Sequence, residues 1–174
     1  MNYYTPKLNI DNIVLKSGSL EDYLKVYEYD FSKLTGIWDD ILFEKNFKEN
    51  IEAIFNEIEN QNNTYSWIIY YNDLPVGHIV ADRENRIINN SIELSYNLHP
   101  SYWGKGIMIK GIKLVCNYLF NTYDNIVICY CTGNEKSKKL LAKLDFKYYK
   151  RVKKAYSRNN KYVDEYIYYL TKKR

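Results

Sequence analysis

Two glycines around one lysine, Gly104-Lys105-Gly106, close a stretch that begins Leu98-His99-Pro100-Ser101-Tyr102-Trp103. An alternating apolar-polar run precedes it and an amphipathic run follows it directly. Glycines let a backbone approach a bulky group closely, and the first amides of a helix have no carbonyl partners of their own. Oriented amides and the helix dipole both favour an anion, so a turn of this kind suits a diphosphate. Lys105 and Lys110 would add positive charge, although a solvated surface position suits each of them equally well.

Two further positions carry proton chemistry. Strand alternation puts Ile92, Leu94, Tyr96 and Leu98 on one face and Ser91, Glu93, Ser95 and Asn97 on the other. A carboxylate in mid-strand needs solvent or a wet cleft. Glu93 is therefore either a base in a cleft or an exposed glutamate on an edge strand. Further on, Ser137 shares a helical face with Leu140, Leu141 and Leu144, which turns it inward. A helix-start serine satisfied by its own backbone is the competing reading. Asn134 stands where the N-cap of that helix belongs.

The segment Ile92-Glu93-Leu94-Ser95-Tyr96-Asn97-Leu98-His99-Pro100-Ser101-Tyr102-Trp103-Gly104-Lys105-Gly106 resembles the acetyl-coenzyme-A signature of the GNAT N-acetyltransferases. It is most similar to the ribosomal-protein N-terminal (alanine) acetyltransferase branch, Glu-x-Gly-Tyr-x-Leu-x-Pro-x-Tyr-Trp-Gly-x-Gly. Asn134-Glu135-Lys136-Ser137-Lys138-Lys139-Leu140-Leu141-Ala142-Lys143-Leu144-Asp145-Phe146 resembles the family's Asn-x-x-Ser-x-x-Leu-x-x-Lys-x-Gly-Phe helix. The two motifs span the carboxyl-terminal half in the family's order, and the resemblance is weak before Tyr65. It implies an α/β GNAT (acyl-CoA N-acyltransferase) fold, a mixed central sheet flanked by helices with splayed central parallel strands. It implies acetyl-coenzyme A as cosubstrate, held by Leu98, Tyr102, Trp103, Gly104, Lys105, Gly106, Ile107, Asn134 and Ser137. Glu93 would serve as base, commonly through water. Many GNAT enzymes carry a proton-donating tyrosine one turn after Ser137, where this chain has Leu141, so the resemblance makes Ser137 the substitute donor or a hydrogen-bonding partner of the thiolate. The chain departs from the pattern at Ser95, Gly111 and Asp145; aspartate tolerates the left-handed backbone better than most residues.

The implied reaction is direct attack of a primary amine, on a protein N-terminus or a small molecule, upon the thioester. A non-catalytic acyl-coenzyme-A-binding or regulatory module is the alternative. A nicotinamide-binding dehydrogenase fits poorly, because the glycine turn comes late and lacks the third glycine.

Bulk properties agree with one domain over residues 1–174: the chain can bury a sizeable core, and 46% of it is hydrophobic. A net charge of +4, with a modest basic cluster at the carboxyl end, does not by itself argue for nucleic-acid binding. Twenty tyrosines dilute the meaning of any single one. Cys116, Cys129 and Cys131 form no metal-binding spacing, and two separated histidines make zinc an unpromising ligand. His78 reads as a packed strand residue and His99 as an exposed loop residue. An odd cysteine count without a signal peptide points to the cytoplasm, and no apolar run is long enough to cross a bilayer. The expected state is a monomer or homodimer.

The elements that must position these groups follow from periodicity. A short strand at 13–16 leads into the cap Ser19 and the acidic first turn Glu21-Asp22 of a helix that continues through Tyr23 to about Leu34, then a second helix over 43–59 closed by 61–63. A hairpin of 65–71 and 76–81 turns at 72–75. A strand at 92–98, a helix whose inward face carries Ile107, Gly111, Leu114, Val115, Tyr118 and Leu119, and a strand at 126–131 apolar on both faces make a parallel crossover. A helix at 135–144 and a tyrosine-rich strand pair at 146–155 and 162–170 complete the chain.

Overall fold

The computed structural model describes residues 4–28, 47–60, 64–83, 88–158 and 161–173. In chain order the described elements are β1 (Leu8–Ile10), β2 (Ile13–Lys16), α1 (Leu20–Val26), α2 (Phe47–Asn60), β3 (Thr64–Tyr71), β4 (Leu74–Asp82), β5 (Ser91–Leu98), α3 (Ile107–Leu119), β6 (Asn125–Cys131), α4 (Glu135–Lys143), β7 (Lys147–Arg158) and β8 (Lys161–Thr171). The strands form one mixed sheet in the order β1-β2-β3-β4-β5-β6-β8-β7. Among the described strands only β5 and β6 pair in parallel. Their pairing extends from Ser91↔Asn125 to Leu94↔Ile128 and stops there, although β5 continues to Leu98 and β6 to Cys131. The two central strands therefore part at their carboxyl ends.

Each face of the sheet carries its own core. On one, Trp67, Ile69, Ile79, Leu94 and Ile128 pack against Ile107, Ile112 and Val115 of α3 and Leu141 of α4. On the other, Tyr23 and Val26 of α1 meet Ile51 of α2 over Ile68. Gly111, a departure from the family pattern, has a structural reason. A Cβ there would lie 3.3 Å from Ile79 Cδ1, so glycine lets α3 settle close to the sheet. The buried stripe of α3 also includes Met108, Ile112 and Cys116, while the expected Leu114 and Tyr118 are only partly buried.

Local chemistry sets the boundaries. Ser19 and Asp22 make a capping box at α1: Asp22 N donates to Ser19 Oγ at 3.3 Å, and Ser19 N donates to the Asp22 carboxylate at 2.8 Å. The helix begins at Leu20, directly after the cap and with the acidic first turn Glu21-Asp22 as expected, and ends at Val26, short of the expected end near 34; residues 29–34 lie outside the described residues. So do residues 43–46 of the second helix and its closing 61–63. The hairpin turn is tighter than 72–75. Asn72 and Asp73 both hold left-handed backbones, φ 49° and 64°, which closes a two-residue turn and lets β4 start at Leu74. Pro75 is accommodated because the register shifts between Ile69 and Tyr70, opposite it.

Candidate active site

The glycine turn adopts the backbone that only glycine takes without strain. Gly104 has φ +78° and Gly106, the N-cap of α3, has φ +75°; no heavy atom lies within 4 Å of a Cβ at either position. No side chain caps α3, so its first amides face open space. That space belongs to a cleft of about 490 Å³ between the turn, the start of α3 and α4. Leu98, Tyr102, Trp103, Gly104, Gly106, Ile107, Asn134 and Ser137 all line it.

Lys105 does not. Its ammonium lies 4.8 Å from the Tyr102 ring centroid instead. Nor does Lys110, whose ammonium pairs with Asp11 at 2.6 Å. The positive wall comes from α4, where Lys136, Lys139 and Lys143 recur at helical spacing along the cleft. Their i, i+3, i+7 pattern was readable in the sequence, but a charge run on a helix ordinarily marks a solvated face. Lys136 sits 3.3 Å over the Trp103 ring, and its partial burial lowers its pKa. The Trp103 indole is fixed in turn by its N–H, which donates to Leu98 O at 2.7 Å. Free amides, two left-handed glycines with clear space above them and three lysines fit a long phosphorylated ligand such as a coenzyme A.

Ser137 is buried, as its helical face predicts. Asn134 caps α4 by accepting from Ser137 N at 3.0 Å. The Ser137 hydroxyl makes a short hydrogen bond to the phenol of Tyr96, which shares its strand face with the packing residues Ile92, Leu94 and Leu98. Tyr96 also lines the cleft. The one available signal was a hydroxyl-bearing ring on an otherwise aliphatic face (Ile92, Leu94, Leu98).

Glu93 lies on the opposite face of β5, half-buried. Its strand sits between β4 and β6, so the edge-strand reading is overturned. Across β4 it stands in register with Asp82, which brings two acidic residues side by side. Across β6 it approaches Cys129. Burial pushes the Cys129 thiol well up, and the carboxylates of Glu93 and Glu165 add to that, Glu93 also through a hydrogen bond. Glu165 in turn accepts from Tyr156 Oη at 2.8 Å. Cys129 is thus a neutral thiol among carboxylates, unsuited to act as a nucleophile.

The histidines divide. His78 is a buried strand residue, as expected, against the Tyr27 hydroxyl at 3.2 Å from Nδ1. His99 keeps its expected place in a loop before Pro100 but is not exposed. It is half-buried, its Nδ1 accepts from Ser101 N at 3.2 Å, and it caps the short 3-10 turn Pro100–Tyr102. Asp145 takes the left-handed backbone that its place before Phe146 requires, φ 59°. Among the described residues no group of three His, Cys, Asp or Glu side chains could hold a metal ion, and no helix is long and apolar enough to cross a membrane.

A mixed sheet whose parallel pair opens beside a glycine-capped helix is the architecture of an acyl-coenzyme-A transferase. Residues 22–147 match the family model of the acetyltransferase (GNAT) domain, and the chain belongs to that family of acetyl-coenzyme-A-dependent acetyltransferases. Solved structures agree on the fold. A ribosomal-protein-S5-alanine acetyltransferase from Vibrio fischeri superposes with a TM-score of 0.73 at 19% identity, covering 95% of this chain and 96% of that one. An acetyltransferase from Salmonella typhimurium that modifies the N-terminal serine of 50S ribosomal subunit protein L7/L12 gives 0.78 at 15%, covering 93% and 96%. A microcin C7 self-immunity acetyltransferase, solved with acetyl-CoA and AMP, gives 0.75 at 22%, covering 93% of each chain. A comparison with curated proteins finds no significant match.

Proposed function

We propose that the protein moves the acetyl group of acetyl-coenzyme A onto a primary amine, of a protein N-terminus or a small molecule, by direct attack. The observation that carries this reading is the parting of β5 and β6 beyond Leu94 and Ile128. A cleft lined by Tyr96 and Ser137 lies on one face of β5, and Glu93 lies on the other. Two of the structural neighbours are named as acetyltransferases of ribosomal proteins, one of an alanine of S5 and one of the N-terminal serine of L7/L12, which supports an amine acceptor.

The residues have complementary tasks. Amides of Gly104, Gly106 and Ile107 bind the diphosphate, with Leu98, Tyr102, Trp103 and Asn134 lining the rest of the ligand's path. Glu93 removes the amine proton, through water, from the opposite face. Ser137 donates to the departing sulfur, and backbone N–H groups at the splayed strands hold the carbonyl oxygen. The raised thiol of Cys129 supports a route without a covalent enzyme intermediate. The base matters according to the acceptor. An α-amine near pKa 7.8 costs roughly half a kcal/mol to deprotonate at about pH 7.4, whereas a lysine-like amine near 10.4 costs about 4 kcal/mol. The same reading makes the protein a cytoplasmic monomer or homodimer.

A panel of peptides with free N-termini, polyamines and amino sugars, scored by release of the coenzyme A thiol, tests the proposal. Acceptor-dependent release is expected for at least one class. Tight acetyl-coenzyme-A binding with no release across the panel would instead establish a non-catalytic acyl-coenzyme-A-binding module.

A further inference from the structure

The hydroxyl pair between Tyr96 and Ser137 joins two elements that share no neighbouring sequence, the end of β5 and the first turn of α4. Both residues line the cleft. Ser137 is fixed on its other side, where its N–H is taken by Asn134 Oδ1. A serine hydroxyl has one proton and two lone pairs. If it spends its proton on the phenol, it has nothing to give to a sulfur. If the phenol donates instead, the serine proton is free to point into the cleft.

The chemistry of the two oxygens decides between these arrangements. A phenol is the more acidic hydroxyl and the stronger donor, and its oxygen lone pair is partly drawn into the ring. An aliphatic hydroxyl is the better acceptor. Burial holds the Tyr96 phenol neutral, pushing its pKa up to about 12, so it keeps its donating proton throughout the physiological range. Donation into Oγ also polarises the serine O–H and strengthens its own outward hydrogen bond.

We infer that Tyr96 is the positioning residue for Ser137: its phenol donates to Ser137 Oγ and thereby aims the serine proton at the sulfur of the leaving coenzyme A. This rests on the reading of Ser137 as the donor to that sulfur. In the step it serves, the amine nitrogen bonds to the acetyl carbon, the C–S bond breaks and its electron pair stays on sulfur. The extra proton of the attacking amine leaves by way of Glu93 or water. The Tyr96–Ser137 pair stabilises the charge on sulfur through a hydrogen bond and gives up no proton of its own. A serine held in this way also explains how the family's later tyrosine can be replaced here by Leu141.

The pair can be tested on the product alone, without knowledge of the acceptor. Coenzyme A with its free thiol is bound to wild type, Tyr96→Phe and Ser137→Ala. Thiolate formation is followed by ultraviolet difference absorbance against the ligand-free protein, from about pH 6 to 10 around the ordinary thiol value near 8.5. In wild type the bound thiol is expected to ionise about one unit below free coenzyme A. Both variants should lose that shift, with calorimetric affinity for acetyl-coenzyme A changed less than threefold and melting temperatures within a few degrees. Phenylalanine keeps the ring and its packing, so a lost shift in a folded Tyr96→Phe protein is not a fold defect. If Tyr96→Phe ionises the bound thiol as wild type does while Ser137→Ala does not, the role of Tyr96 is overturned and that of Ser137 survives. If the thiol bound to wild type ionises like free coenzyme A, the assignment of Ser137 falls, and the inference with it.

Discussion

Gly77 lies against the main chain of Asn97, so close that a Cβ on Gly77 would stand 2.5 Å from the Asn97 carbonyl oxygen and 3.2 Å from the Leu98 Cα. Gly77 pairs in register with Leu98, so this contact holds the end of β5 where it leaves β6. The neighbouring atoms are backbone and cannot swing aside. Gly77→Ala is expected to destabilise the fold by about 1–3 kcal/mol, the usual range for overpacking. Because Leu98 lines the cleft, affinity for acetyl-coenzyme A should fall as well. Thermal melting and calorimetric titration check both; a variant matching wild type in each would show that β5 is not pinned there.

The turn glycines make a different prediction. Gly104→Val and Gly106→Val meet no neighbouring atom, yet each puts a β-branched residue at positive φ. That backbone costs about 1–2 kcal/mol per residue for an ordinary side chain, which a domain of this size tolerates. The new methyls would project into the space where the diphosphate approaches. Expected are a folded protein by circular dichroism and a sharp loss of acetyl-coenzyme-A affinity. Unchanged affinity in a folded double variant would falsify the phosphate-site assignment.

Ser137→Ala should lower turnover by roughly tenfold to several hundredfold, about 1.4–3.5 kcal/mol, with cofactor affinity little altered. The leaving thiol is moderately acidic, so water can replace a lost donor in part. Steady-state kinetics separate the outcomes. A collapse of affinity would make Ser137 a holding group, and unchanged turnover would leave it a structural serine at the start of α4.

Glu93→Gln should slow turnover most near neutral pH and recover partly under alkaline conditions, where free amine accumulates. Asp82, in register beside Glu93, offers a second carboxylate and limits the loss. A pH–rate profile of the variant that overlays wild type from about pH 6 to 9 removes Glu93 from the mechanism.

His78 predicts how stability depends on pH. Burial lowers its pKa from 6.5 to about 4, so the folded protein keeps it neutral while the unfolded chain protonates it below its ordinary value. The unfolded state binds more protons in that window, so stability falls as pH drops from about 6.5 to 4 and is fully present above it. The contribution is on the order of 3 kcal/mol. Denaturant titrations of wild type and His78→Gln across this range should show a steeper acid loss in wild type. Parallel curves would mean that another group titrates.

Near-neighbour chemistry made much of this protein legible from its residues. Ser19 and Asp22 marked a cap, Asn134 another, and the alternation of 92–98 divided Glu93 from Tyr96. The glycine turn announced its ligand because positive φ and unpaired amides are properties of a few consecutive residues. Side-chain destinations were another matter. Lys105 and Lys110 looked as available to phosphate as Lys136, Lys139 and Lys143, and only packing showed the first two turned to Tyr102 and Asp11. Whether Glu93 lay on an edge strand depended on what pairs along both sides of β5, antiparallel β4 on one and parallel β6 on the other, and the alternation within β5 does not encode its neighbours. Tyr96 is the plainest case. In the chain it is one tyrosine among twenty, and its meaning comes from a serine 41 residues away that tertiary structure brings to its hydroxyl.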